Sequence, residues 1–224
     1  EAAAVGVPGA SLERVELLYA KGEQHRAISE LLILDSQLAA GGGDAVNLDT
    51  EGDKNRYRAR VMLRLAEWTV ETGQGTHDDV TSLFENALSL RPNWETGLFK
   101  YACYLDELMQ DARARQGASA GSLAVGSGGS GATMDRLGGK SRIKLGEDRH
   151  HLTFLPEVLR NYGRSVQYGS RHIYRSLPRL LTLWFDFGAS VASNPDYYAT
   201  DNRSIVALIE EMMRKFAKSI PSHC

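Results

Sequence analysis

Few stretches of this sequence bring together residue types that do chemistry, and each fails on spacing. His150 and His151 stand beside Asp148, a donor set that suggests a transition metal. Adjacent residues on a helix point about 100° apart, so the two imidazoles cannot form the i, i+4 pair of a zinc site. A solvated polar cluster is the reading that spacing supports. Gly138-Gly139-Lys140-Ser141 ends like a phosphate-binding loop, but Met134 occupies the place of that loop's first glycine and no strand pattern precedes it. The run GSGGSG at 126–131 lacks the lysine altogether and reads as linker. Cys103 and Cys224 are the only cysteines, far apart and outside any CxxC or Cys/His cluster. That argues against a disulfide framework or structural zinc and for a reducing compartment. The sequence therefore assigns no catalytic residue, no cofactor-binding residue and no metal ligand.

The remaining charges read as structural. Asp35, Glu67, Asp106 and Asp186 are isolated acids within helical patterns, each expected to partner a neighbouring arginine rather than to form half of an acid/base pair. Arg160, Arg164, Arg171, Arg175 and Arg179 interleave with apolar positions. They are expected on a solvated face and in ion pairs between helices, with a phosphate or nucleic-acid track as the sharper alternative. A net charge of −2 and a pI near 6.3 oppose that alternative for the chain as a whole, so direct nucleic-acid binding is not expected.

Helices must position these groups. An apolar content of 42 % supports a core, and six prolines leave room for long helices. Residues 1–10 read as loose. A short helix capped at Ser11 carries Leu12, Val15 and Leu18 and ends at Gly22; a second runs from about Glu23 to Ala39, stopped by Gly41–Gly43. From Lys54 the pattern resumes through Tyr57, Val61, Leu65 and Trp68 to Gly73. Thr76 or His77 opens the next helix, with Asp78 and Asp79 where the macrodipole favours acids, and Pro92 ends it. Another runs from near Asn93 to about Arg113. Ala66 and Ala102 are 36 residues apart, close to the period of about 34 in tetratricopeptide repeats. Phe84, Ala87 and Pro92 suit the second helix of such a unit. The fold class that follows is all-α, an alpha-solenoid of tetratricopeptide- and HEAT-like helical hairpins: residues 1–115 as hairpins, 116–147 as a disordered Gly/Ser-rich insertion, and 148–224 as the continuing solenoid.

The densest helical pattern lies between Phe154 and Ala192. Leu155, Val158, Leu159, Tyr162 and Val166 step along one helix, and Ile173, Leu177, Leu180, Leu181, Trp184, Phe185 and Gly188 along a second. Pro178 predicts the break between them, near Leu177, with Ser176 as a cap and Trp184 buried. Asn194-Pro195-Asp196 is a turn signal, and a last helix from about Arg203 carries Ile205, Leu208, Ile209, Met212, Met213 and Phe216, stopping before Pro221. No apolar run reaches the roughly 18 residues that span a bilayer, so no membrane partner is expected. The start, EAAAVGVPGAS, has no initiator Met or signal-peptide pattern and is expected to lie inside a longer chain.

The stretch NYGRSVQYGSRHIYRSLPRLLTLWFDFG, Asn161 to Gly188, resembles the FAT region shared by phosphatidylinositol 3-kinase-related kinases, and among these the ATR-type DNA-damage checkpoint kinases. The matching pieces are Gly163-Arg164-Ser165, Gln167-Tyr168-Gly169, Ile173-Tyr174, Ser176, Pro178-Arg179 and Leu181 to Trp184, then Asp186 and Gly188. Upstream, the helices from Arg60 to Leu108 resemble the repeats preceding this motif in those kinases. The resemblance implies a solenoid wrapping a kinase domain, with the family's catalytic lysine and aspartates beyond this segment toward the C-terminus. It further implies a nuclear parent protein that phosphorylates serine or threonine, typically before glutamine, with ATP and magnesium. Its implied partners are its own kinase domain and neighbouring solenoid, an ATRIP-type protein and a second protomer. The competing reading is a generic tetratricopeptide-type protein-binding module using Lys54, Arg58 and Lys100, although the asparagines such a groove needs are not in place.

Overall fold

A computed structural model describes residues 8–40, 50–121 and 151–193, with single helical positions at Ala207, Glu210, Glu211 and Arg214. Among the described residues every regular element is helical: α1 (Pro8–Ala20), α2 (Gln24–Ala39), α3 (Glu51–Thr72), α4 (His77–Leu90), α5 (Glu95–Gly121), α6 (Leu155–Tyr168) and α7 (Ile173–Ser193). A 3-10 turn, His151–Thr153, precedes α6. The expected all-α class is what forms. Two compact units divide between Pro92 and Asn93, so α5 belongs with α6 and α7. The body of the predicted insertion, with His150 and Asp148, lies outside the described residues. So does most of the helix expected from Arg203.

In the first unit, helix ends follow local chemistry. α1 begins at Pro8, ahead of the expected cap at Ser11, because a proline's fixed φ suits the first turn. The Thr50 hydroxyl caps α3 by accepting the Asp53 amide at 3.2 Å. Gly73 ends α3 at φ +68, a conformation that costs a side-chain-free residue little, while its amide bonds back to Thr69 and Val70. Thr76 and Asp79 close a reciprocal capping box on α4. The Thr76 amide and hydroxyl, both donating to the Asp79 carboxylate, hold that carboxyl below its usual range.

Inside this unit Leu12, Val15, Ala27, Ile28, Leu31, Leu34, Tyr57, Val61, Leu65 and Trp68 form one buried cluster. These are the positions that the helical periodicity marks. Tyr19 stacks on Trp68 with ring centroids 4.0 Å apart and donates its hydroxyl to Glu71 at 2.6 Å. Ala66 and Ala87 are fully buried and Phe84 is almost so, as the repeat pattern requires of small residues between helices and a large one in the groove.

In the second unit, α5 continues through Gly121, past Gln116 where the insertion is expected to begin. α6 follows with Pro156 and Glu157 in its first turn, where a missing amide and an acid are both tolerated. The break after α6 differs from the sequence expectation. It falls at Gly169–His172, and Pro178 sits inside α7. Pro178 is exposed and Tyr174, whose carbonyl loses its amide partner, is 90 % exposed. Water can take that amide's place, so the helix continues.

The inward face of α7 also differs. Ser176, Leu180, Leu183 and Phe187 are buried, whereas Leu177 and Phe185 are exposed and Trp184 is only half-buried. A helix that is apolar on most of its circumference does not reveal from periodicity which stripe meets its neighbour.

Candidate functional site

The most elaborate polar arrangement in the second unit begins at Asp106, on the face of α5 that packs against α6 and α7. Its carboxylate is only 6 % exposed. Arg179 of α7 donates to it twice, Nε to Oδ2 at 2.6 Å and Nη2 to Oδ1 at 2.7 Å. The Tyr162 hydroxyl of α6 donates to Oδ2 at 3.3 Å, and Gln110 Nε2 to Oδ1 at 3.1 Å. Four donors use the full accepting capacity of a carboxylate. The planar fork of the guanidinium makes its two bonds charge-assisted and geometrically specific. The Asp106 hydrogen bonds hold Arg179 above its usual pKa.

Tyr162 ties this group to a third helix position. Its hydroxyl lies 3.6 Å from Cys103 Sγ. Burial, then the neighbouring Cys103 and Asp106, push the phenol far up, and burial pushes the Cys103 thiol up. Neither group ionises near neutrality. This is the opposite of an activated nucleophile, which needs a lowered pKa or an adjacent base.

A second joint lies at the α6–α7 connection, about two helical turns before Arg179. Glu95, in the first turn of α5, accepts the His172 backbone amide at 2.7 Å. The His172 ring lies parallel to Phe99 with centroids 4.3 Å apart, and Arg175 covers Phe99 at 5.0 Å. Gly169 leaves the space for Glu95: a Cβ there would stand 1.9 Å from Glu95 Oε2. Its backbone is extended, so the requirement is room and not a special φ. Between the two joints, Ser165 Oγ donates to the Tyr162 carbonyl at 2.8 Å and reaches Ser176 Oγ at 3.1 Å, both serines being fully buried.

The sequence-marked charges fall as expected of structural groups. Asp35 pairs with Arg58 at 2.9 Å, Glu67 with Arg64 at 3.1 Å, Asp106 with Arg179, and Asp186 with Arg113 at 3.8 Å. Of the five arginines, Arg160 pairs with Glu157, Arg164 lies over the Tyr168 ring at 6.0 Å, Arg175 covers Phe99 and Arg179 is committed to Asp106. Arg171 is exposed in the α6–α7 connection, where it and Arg175 lie near His172. What sequence reading missed was the partner of each group: Arg179 and Asp106 are 73 positions apart, and no periodicity links them. The available signal was the coincidence of Gly169, Ser176 and Arg179 within one motif.

Beside the clamp is a groove of about 210 Å³, whose walls include Gln110, Arg113, Arg179, Asp186 and Phe187. Its charged walls are already paired, Arg113 with Asp186 across the groove and Arg179 with Asp106 behind it. Among the described residues no group of three or more His, Cys, Asp or Glu side chains could hold a metal ion, and no helix is long and apolar enough to cross a membrane.

A model of the FAT domain family matches residues 1–182. The chain is similar to the serine/threonine-protein kinase ATR of Oryza sativa subsp. indica and of Arabidopsis thaliana, 29 % identical in each case over the whole chain and 9 % of the relative. It is also similar to the protein kinase rad3 of Schizosaccharomyces pombe, 27 % identical over 81 % of the chain and 7 % of the relative. The chain thus spans less than a tenth of the length of these relatives.

Proposed function

This chain belongs to the FAT domain family, and from that membership we propose that it is a non-catalytic scaffold segment of a serine/threonine protein kinase of the ATR type, acting in the DNA-damage checkpoint. The parent protein works in the nucleus, uses ATP and magnesium at a kinase domain outside this segment, and assembles with an ATRIP-type partner and a second protomer. The segment braces the kinase domain and the neighbouring solenoid.

One observation carries this reading. The side chains that define the motif are consumed in joining helices: Ser165 and Ser176 face each other, Gly169 makes room for Glu95, and Arg179 is held by buried Asp106. Groups so engaged hold a shape, and shape is what a scaffold supplies to a distant active site.

The test is phosphate transfer. The 224-residue chain, given ATP, magnesium and a serine-glutamine peptide, is expected to transfer none, while the full-length parent protein does. Transfer by the segment alone would overturn the scaffold reading. Arg179→Met in the full-length protein is expected to lower kcat several-fold with KM for ATP unchanged, because it loosens support without touching the nucleotide site.

A further inference from the structure

The groove beside the clamp carries more recognition chemistry than its own pairs consume. Across it, Arg113 of α5 faces Asp186 of α7 at 3.8 Å, their side chains 68 and 55 % exposed. That distance is beyond hydrogen-bond reach, so the two attract without bonding to each other. Arg179 adds a donor. Its Nε and Nη2 are turned to Asp106, which leaves Nη1 as the end of the guanidinium that this carboxylate does not engage. Gln110 likewise gives its amide nitrogen to Asp106 and keeps its carbonyl oxygen as an acceptor. The apolar part of the wall includes Met109, Leu183 and Phe187, all buried.

We propose that this groove binds a free α-amino acid with an apolar side chain, of the leucine or methionine kind. Its volume of about 210 Å³ falls below the roughly 300 Å³ at which sites for drug-sized ligands begin, which suits a small metabolite. Charge selects the class. A carboxylate alone would meet Arg113 and Arg179 but lie against Asp186, and an amine alone would meet Asp186 but lie against both arginines. Like charges so placed oppose binding. A zwitterion satisfies both walls at once. In an α-amino acid one carbon joins the ammonium to the carboxylate, a spacing that matches an opposed pair 3.8 Å apart. The carboxylate accepts from the fork of Arg113 and from Arg179 Nη1, the ammonium donates to Asp186 and the Gln110 carbonyl, and the side chain lies on Leu183 and Phe187. The pair it enters is exposed to water, and such a pair gives way at little cost. The site stands independently of the kinase reading.

Equilibrium dialysis of the 224-residue chain against labelled L-leucine tests it. Saturable binding of one molecule per chain is expected. Isocaproate, which lacks the ammonium, and isoamylamine, which lacks the carboxylate, should each bind at least about tenfold more weakly. Asp186→Asn is expected to weaken L-leucine at least about tenfold and to strengthen isocaproate, an inversion that loss of folded protein cannot produce. Arg113→Gln should weaken L-leucine and spare isoamylamine. Arg160→Gln, at the pair with Glu157 outside the groove, should change neither. Absence of saturable L-leucine binding would overturn the proposal. So would isocaproate or N-acetyl-leucine binding as tightly as L-leucine, since the groove would then capture carboxylates or peptide ends. L-leucine affinity that survives both Asp186→Asn and Arg113→Gln would overturn it as well.

Discussion

In the first unit the buried side chains are mainly apolar, and the carboxylates of ion pairs between helices keep about a fifth or more of their exposure: Arg14 with Glu30 at 72 and 20 %, Arg58 with Asp35 at 28 and 22 %, Arg64 with Glu16 at 40 and 39 %. In the second, a carboxylate lies between helices at 6 % exposure, matched by a bidentate arginine. An apolar cluster tolerates small rotations of one helix on another, because its contacts are non-directional. A buried carboxylate with four donors does not, because each bond has a narrow range of angle and length. The first unit is therefore built for cohesion, and the second for a defined angle between α5, α6 and α7.

The comparison breaks most decisively at Arg179. Arg179→Met leaves Asp106 buried without its counter-ion and is expected to destabilise the second unit by about 3–5 kcal/mol in urea unfolding. Asp106→Asn should cost less, because the Arg179 it abandons is 31 % exposed and can turn to water. Equal costs would show that burial does not set the asymmetry.

Gly169→Ala comes next. The added methyl displaces the Glu95 carboxylate from the His172 amide, at an expected cost of about 1–3 kcal/mol. On a Glu95→Ala background the same substitution should cost markedly less, a coupling that a double-mutant cycle reads directly.

Acid should act on the same joint. Burial, opposed by Glu95 and assisted by Arg171, Arg175 and Lys100, lowers the pKa of His172. The unfolded chain then takes up this proton first, so the contribution is full above about pH 6.5 and declines as pH falls from there through the folded value. Unfolding midpoints should drop between pH 7.5 and pH 5.5, and His172→Gln should flatten part of that drop. The smallest effect belongs to the first unit: Arg14→Ala at its surface pair should cost no more than about 1 kcal/mol. A larger loss would mean that its ion pairs also set geometry.

Most of the first unit was legible in the sequence because its signals are local. Glycines after α1 and α3, the Thr76–Asp79 box and a single apolar stripe per helix each act within a few residues. The identity of four acids as arginine partners was legible too, since isolated charges in helical patterns rarely have another use. Around α7 local signals misled. Pro178 predicts a break, but on the water-facing side of a helix the lost bond is replaceable, whereas Gly169 and the Glu95–His172 contact make the real one. Trp184 reads as core and lies half-buried, because α7 has two apolar stripes and the position of α5 and α6 selects the one through Leu180 and Phe187. The sequence by itself determined the helical class, most helix boundaries and the family. Tertiary structure alone decided which face of α7 turns inward, a choice made by packing on α6 that its own periodicity does not carry, and that Arg179 meets Asp106, since those groups stand more than seventy positions apart.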